Sequence, residues 1–240
     1  MSSMSPLQTV KWAYAGSARA AGRGLTRIGL LGTEAPPVEK RVGHWVHSLV
    51  RVHDSVAIAR LDVPWWTYGA IAEVTGWFEG RRSPVRVFEY GSGASTVWLA
   101  RRAAEVHSVE HHRAFGEMMR HELASLRHVD LRIVEPTVSS RPAVGSAKEG
   151  NRNLDFAGYV ATIDAVPGEF DLVVIDGRAR EACLGAAAHR LRPGGIIVFD
   201  NSRRRRYRAA IGSCGLAEDR FRGLTPTLPY PEQTSILRRP

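Results

Sequence analysis

The chain has 240 residues, of which 44% are hydrophobic and 24% charged, a composition that supports one sizeable soluble core and excludes a low-complexity or disordered class. Cys183 and Cys214 supply neither a disulfide framework nor a paired metal motif, and no apolar run approaches the ~20 residues that span a bilayer. The formal net charge of +9 is carried almost wholly by arginine, since Lys11, Lys40 and Lys148 are the only lysines. An arginine-rich surface suits an anionic partner (nucleic acid, membrane surface or phosphorylated small molecule), and a genome-wide preference for arginine explains it equally.

In chain order, residues 1–37 read as a basic arm. Arg19, Arg23 and Arg27 recur every four residues, which on a helix makes one basic stripe beside a loose apolar face. Such a segment can lie on an anionic membrane or dock on the domain, and it lacks the apolar core of a signal peptide. Residues 38–80 read as a helical cap. One helix is expected over 38–60, with His44, His47 and His53 partly exposed on it and no companions that complete a metal set. A second follows Thr67 as N-cap, and Trp65 and Trp66 precede it as candidates to roof a pocket.

Residues 81–240 read as the main domain. Strands are expected at 85–90, 105–110, 129–134, 170–176 and 195–200, and helices at 95–103, 112–126, 155–165 and 178–191. Residues 136–153 read as a long loop, and 216–223 and 234–239 as a closing pair of strands around Thr225–Pro231, which is expected to wall the pocket. The strands are continuous apolar runs that alternate with helices, the pattern of a doubly wound sheet covered on both faces.

The stretch Glu89 to Thr96 is a strand end, a glycine turn and a helix start, which is where α/β sheets bind nucleotide-like cofactors. Gly91 and Gly93 are present, but Thr96 stands where a dinucleotide fingerprint has its third glycine. Glu89 is expected to point at the ligand, where a carboxylate repels a pyrophosphate and attracts an amino group. Glu110, 19 residues after Gly91, ends the next strand and suits ribose hydroxyls.

Four strand ends occur in one order: Glu89 to Gly93, Ser108 to Glu110, Asp171 to Gly177, and Leu191 to Asn201. As a set they resemble the class I S-adenosylmethionine-dependent methyltransferases. The resemblance implies a Rossmann-like, seven-stranded sheet of order 3-2-1-4-5-7-6 with strand 7 antiparallel. It implies that Glu89, Gly91, Ser92, Gly93, Ser95, Glu110, His111 and Asp176 bind the cofactor, with the adenine contact sought near Glu135. Within that class, Asp176, Asp200 and Asn201 are similar to the ligands of metal-dependent O-methyltransferases of the catechol and caffeoyl-CoA type. The implied ion is Mg²⁺, which takes oxygen ligands and eases loss of a hydroxyl proton. Polar strand ends around a crevice, without a metal, account for the same three residues.

The candidate catalytic residues are Asp176, His111 and Arg178. Asp176 or His111 would be the base of a metal-free reaction. Arg178 replaces residues that include a basic lysine in the metal-dependent enzymes, and a guanidinium accepts no proton at neutral pH. Trp65, Trp66, Arg178, Arg180 and Arg204 are the candidate acceptor contacts, the arginines as a clamp for an anion. Further motifs resemble bacterial methyltransferases of surface-glycan or secondary metabolism. The expected activity is O-methylation of a small anionic acceptor in the cytoplasm or at the inner face of the membrane. RNA methylation is the alternative, disfavoured because few aromatics interleave the basic run. A membrane-associated binding module with a vestigial cofactor fold is the non-enzymatic alternative.

Overall fold

The computed structural model describes residues 34–49 and 61–239. Residues 1–33 of the basic arm, the second part of the expected 38–60 helix and His53 lie outside the described residues. In chain order the elements are α1 (Arg41–Ser48), α2 (Tyr68–Glu79), β1 (Arg86–Tyr90), α3 (Ala94–Ala100), β2 (Glu105–Glu110), α4 (Arg113–Glu122), β3 (Val129–Ile133), β4 (Thr137–Val138), β5 (Leu154–Asp155), α5 (Ala157–Ala161), β6 (Phe170–Ile175), α6 (Arg180–His189), β7 (Leu191–Phe199), α7 (Arg208–Ser213), β8 (Ala217–Gly223) and β9 (Glu232–Arg238).

Seven strands form one sheet in the order β3-β2-β1-β6-β7-β9-β8. The first five are parallel, and β9 runs antiparallel to both β7 and β8. This is the Rossmann-like topology implied by the sequence resemblance. The period-2 alternation of a strand sorts each apolar run onto two faces. Val87, Leu172, Val174, Ile196, Val198 and Ile236 join Trp66, Ile71, Val74 and Trp98 in one core. Phe88, Val173, Ile175, Ile197, Phe199 and Leu237 join Phe156, Tyr159 and Leu184 in the other. Because α2 packs into the first core, the residues around 61–79 belong to the sheet domain.

Three expectations are corrected. The 136–153 loop is tied by the two-residue pair β4–β5, with Asp155 receiving Ala143 N at 2.8 Å and Val144 N at 3.1 Å. His44 and His47 are buried, and His44 Nδ1 lies 2.7 Å from the Tyr68 hydroxyl. The Thr225–Pro231 loop does not wall the pocket. It receives α1 instead, through Trp45 Nε1 donating to Leu228 O at 2.8 Å and Thr227 N donating to Ser48 Oγ at 2.8 Å. Thr67 caps α2 as expected, accepting from Ala70 N. No helix among the described residues is long and apolar enough to cross a membrane.

Candidate active site

The parallel strands deliver their carboxyl ends to one edge, where a cavity of about 500 Å³ opens. Its wall comes from the β1–α3 turn (Gly91, Ser92, Gly93, Ser95), the end of β2 (Glu110, His111, His112, with Phe115) and the end of β6 (Asp176, Gly177, Arg178, Arg180), with Trp65 at the rim. Gly91 holds φ +101°, and a Cβ there would come within 2.8 Å of the Gly177 backbone, so two loops meet at a distance only glycine permits.

Glu110 is held at the cavity by backbone and side-chain donors. Its Oε1 receives His112 N at 2.8 Å, its Oε2 receives Ser92 N at 3.2 Å, and His111 Nδ1 lies 2.8 Å from Oε1. Burial pushes its pKa up, but His111 and these amides outweigh it and hold the carboxyl below its ordinary value. Glu110 therefore stays ionised and faces the cavity as an acceptor. His111 lies beside that carboxylate and packs on Phe156 and Tyr159, on the Glu110 side of the site. His112 caps α4, accepting from Phe115 N at 3.2 Å, and so fixes Phe115 on the wall.

Glu89 does not point at the ligand. It is fully buried under the turn and receives hydroxyl hydrogen bonds from Ser95 (2.5 Å), Thr96 (2.5 Å) and Ser108 (2.8 Å). Burial raises its pKa to about 7 against those three donors. Its place here is the underside of the loop, which it stitches to α3 and β2. Trp66 is likewise core, edge-on to Trp98 at 5.6 Å, and only Trp65 reaches the cavity.

At the ends of β6 and β7 the Arg180 guanidinium fills the space between two acids. Its Nη2 donates to Asp176 Oδ1 at 2.8 Å and to Asp176 O at 2.5 Å, its Nη1 to Asp200 O at 2.5 Å, and its Nε to Gly177 O at 3.1 Å. Asp200 Oδ1 receives the Thr234 hydroxyl at 2.8 Å. Among the described residues no three His, Cys, Asp or Glu side chains are grouped to hold an ion. The arrangement does not fit a divalent cation held by Asp176, Asp200 and Asn201, because the Arg180 guanidinium pairs with the Asp176 carboxylate and the Thr234 hydroxyl takes Asp200 Oδ1. Burial is the main cause that raises both pKa values, to about 7 for Asp200, where the like charge of Asp176 adds to it. Asp176 remains in reach of the cavity, with 20% of its side chain exposed.

Arg178 and Arg180 also line a second, smaller cavity with Asn201 and Arg204. Glu135 faces away, in an exposed pair with Arg113 at 2.7 Å. Phe115 escaped the sequence reading. Its only signal is its position five residues after Glu110, at the start of the helix that follows the ribose-type acid.

Residues 88–202 match the sequence model of a family described as a methyltransferase domain. The matched stretch, just under half of the chain, carries the glycine turn and most of the five parallel strands, and it is similar to a methyltransferase domain. Searches of solved structures return similar folds. A methyltransferase-like protein from Silicibacter pomeroyi is 24% identical, with 70% of this chain and 87% of that one covered and a TM-score of 0.44. The N-methyltransferase NodS from Bradyrhizobium japonicum is 13% identical, with 72% and 96% covered and a TM-score of 0.47. The amino pentose methyltransferase CalS10 from Micromonospora echinaspora, solved with S-adenosylmethionine bound, is 16% identical, with 78% and 96% covered and a TM-score of 0.48. No curated protein sequence matches the chain. The cavity fits S-adenosylmethionine in chemistry: an ionised carboxylate suited to ribose hydroxyls, an aromatic wall at Phe115, and a glycine cradle that a Cβ at position 91 would fill.

Proposed function

We propose that this methyltransferase methylates a hydroxyl of a small, anionic acceptor. The cofactor, when bound, supplies an electrophilic methyl group on a sulfonium. Glu110 receives the ribose hydroxyls, Phe115 and His112 flank the adenine, and the Gly91–Gly93 turn carries the methionine end. The observation that carries the oxygen reading is Asp176: a carboxylate of raised pKa, open to the cavity and steadied by Arg180. A hydroxyl needs a proton acceptor as it attacks, and a carboxylate whose pKa is moved toward neutrality serves better than an ordinary one. A neutral amine needs no such base. Arg180 keeps Asp176 aimed at the cavity, Trp65 covers the acceptor at the rim, and Arg178 meets its negative charge.

Two measurements test this. Calorimetric titration with S-adenosylhomocysteine should show binding that Glu110→Ala abolishes. Transfer of labelled methyl from S-adenosylmethionine should favour alcohols over the matching amines, and Asp176→Asn should lower kcat about 10²-fold or more while changing S-adenosylhomocysteine affinity little. Preference for amines, or full activity in Asp176→Asn, overturns the oxygen reading.

A further inference from the structure

Beside the cofactor cavity lies a second one of about 110 Å³, whose wall includes Ser146, Lys148, Arg178, Asn201, Arg204 and Arg206. It shares Gly177, Arg178 and Arg180 with the first, so a molecule in it abuts the reacting end of the site. Among the described residues, no carboxylate lines it.

Many arginines of the domain are answered by acids: Arg86 by Glu105, Arg192 by Asp171, Arg208 and Arg220 by Glu218, Arg238 by Glu73 and Asp219, while Arg222 bonds the Gln233 amide. Arg180 is answered by Asp176. Among the described residues, Arg178, Arg204 and Arg206 enter no such pair. Arg178 is the telling one. It is half-buried, the one hydrogen bond its guanidinium makes among the described residues is a long one of 3.3 Å to Gly177 O, and burial and the like charge of Arg180 outweigh Glu110 and Asp176 and hold its pKa below the ordinary value. A half-buried cation with no acid in ion-pair contact is unfavourable, and an incoming anion relieves it.

The backbone is shaped to produce this. Ala179 holds a left-handed φ of +48°, which sends Arg180 inward to the two acids and leaves Arg178 at the cavities. Asn201, also left-handed at φ +50°, stands on the same wall. Non-glycine residues in that region carry strain, and such strain gathers at ligand sites. Arg206 rests over the Tyr207 ring at 5.0 Å and reaches Ala147 O at 3.5 Å, on the loop that Asp155 ties down.

We infer that this cavity seats a phosphate monoester carried by the methyl acceptor, an assignment that rests on the methyl-transfer reading above. Several guanidinium groups around one small polar cavity match a compact dianion with three free oxygens, and Ser146 and Asn201 add neutral donors. A carboxylate would answer only one of those charges and offer two oxygens in one plane.

The test uses the full chain saturated with S-adenosylhomocysteine, titrated calorimetrically at low salt with inorganic phosphate, glycerol 3-phosphate, acetate and glycerol. Both phosphates should bind, acetate and glycerol should not, and Arg204→Gln combined with Arg206→Gln should weaken phosphate about tenfold or more with S-adenosylhomocysteine affinity unchanged. Flotation with phosphatidate vesicles separates a lipid source of the ester from a soluble one, since both would use the same arginines. Three results overturn the seat and leave methyl transfer standing: no phosphate binding to the cofactor-loaded protein, acetate binding as tightly as phosphate, or unchanged phosphate affinity in the double variant. Failure of S-adenosylhomocysteine itself to bind overturns the methyl-transfer reading from which the seat takes its role.

Discussion

At the amino ends of the central strands, the partly exposed Glu105 and the buried Asp171 each meet an arginine. At the carboxyl ends of the same sheet, Glu89, Asp176 and Asp200 are packed under and around the cavity. Arg86 Nε lies 2.5 Å from Glu105 and draws its pKa to about 2, chiefly by that hydrogen bond. Glu89 and Asp200 move the other way, to about 7, chiefly through burial. One residue type thus behaves as a surface partner at one end and as a buried burden at the other. The second arrangement costs stability, and it borders the cavity, as expected when a site and not the fold sets the chemistry.

Removing the cation that holds the buried end together should have the largest effect. Arg180→Met leaves Asp176 and Asp200 facing each other without it, and the expected loss at pH 8 is about 3–5 kcal/mol by urea denaturation. Because both pKa values are raised, protonation should shrink that loss toward pH 5. Adding Asp200→Asn should restore part of it. A loss that does not change with pH would mean that the two acids do not share the charge of Arg180.

Glu89 gives the next effect, and its sign follows from linkage. An exposed glutamate titrates near 4.5 and the folded protein holds this one near 7, so the folded state binds the proton more tightly. Its contribution to stability is present below about 4.5 and lost as pH rises to about 7, a change of about 3 kcal/mol. Glu89→Gln should flatten that limb of the stability–pH curve measured by urea midpoints. An unaltered slope would show that Ser95, Thr96 and Ser108 keep the carboxylate ionised throughout.

Two glycines sharpen the contrast between the ends. Gly91→Ala puts a Cβ against the Gly177 backbone in a left-handed conformation, so about 2 kcal/mol of stability and S-adenosylhomocysteine binding should be lost together. Gly168, at the amino end, also has a positive φ of +81°, but its added Cβ would meet only the tip of the Arg86 side chain. Gly168→Ala should keep the strain, spare the clash and leave ligand binding intact. Thermal denaturation and calorimetry on the pair distinguish them.

Much of this end of the molecule was legible in the sequence. The strands are apolar runs with acids at their carboxyl ends, so the sheet, the glycine turn and Glu110 could be placed before any coordinates. What escaped depends on neighbours in space. Glu89 looked like a ligand contact because nothing in its own strand shows that Ser108, its cross-strand partner, and the hydroxyls of α3 claim its carboxylate. Arg180 looked like an acceptor clamp, and its four-residue spacing from Asp176 was a readable hint of an ion pair. That it also binds Asp200 O follows from β6 and β7 being adjacent, which the local sequence does not contain. Strands β4 and β5 are two residues each, too short for any periodic signal.

The smallest effect is expected at the exposed end, and it completes the comparison. Glu105 is 39% exposed, so its pair with Arg86 is screened and Glu105→Gln should cost less than about 1 kcal/mol at pH 7. Its folded pKa lies below the unfolded one, so its stabilisation is present above about 4.5 and lost as pH falls toward 2. Glu218, drawn down to about 2 with Arg208 and Arg220 as its partners, adds to the same limb. The two groups therefore oppose each other: acids paired with arginines make stability rise from about pH 2 to 4.5, and buried acids of raised pKa make it fall from about 4.5 to 7. Stability should peak near pH 4.5. Glu89→Gln should move that peak upward, whereas Glu105→Gln should soften only the acid limb. Urea midpoints across pH 3–8 for the three proteins measure both, and a peak that Glu89→Gln leaves in place would show that burial at the carboxyl ends does not govern the neutral limb.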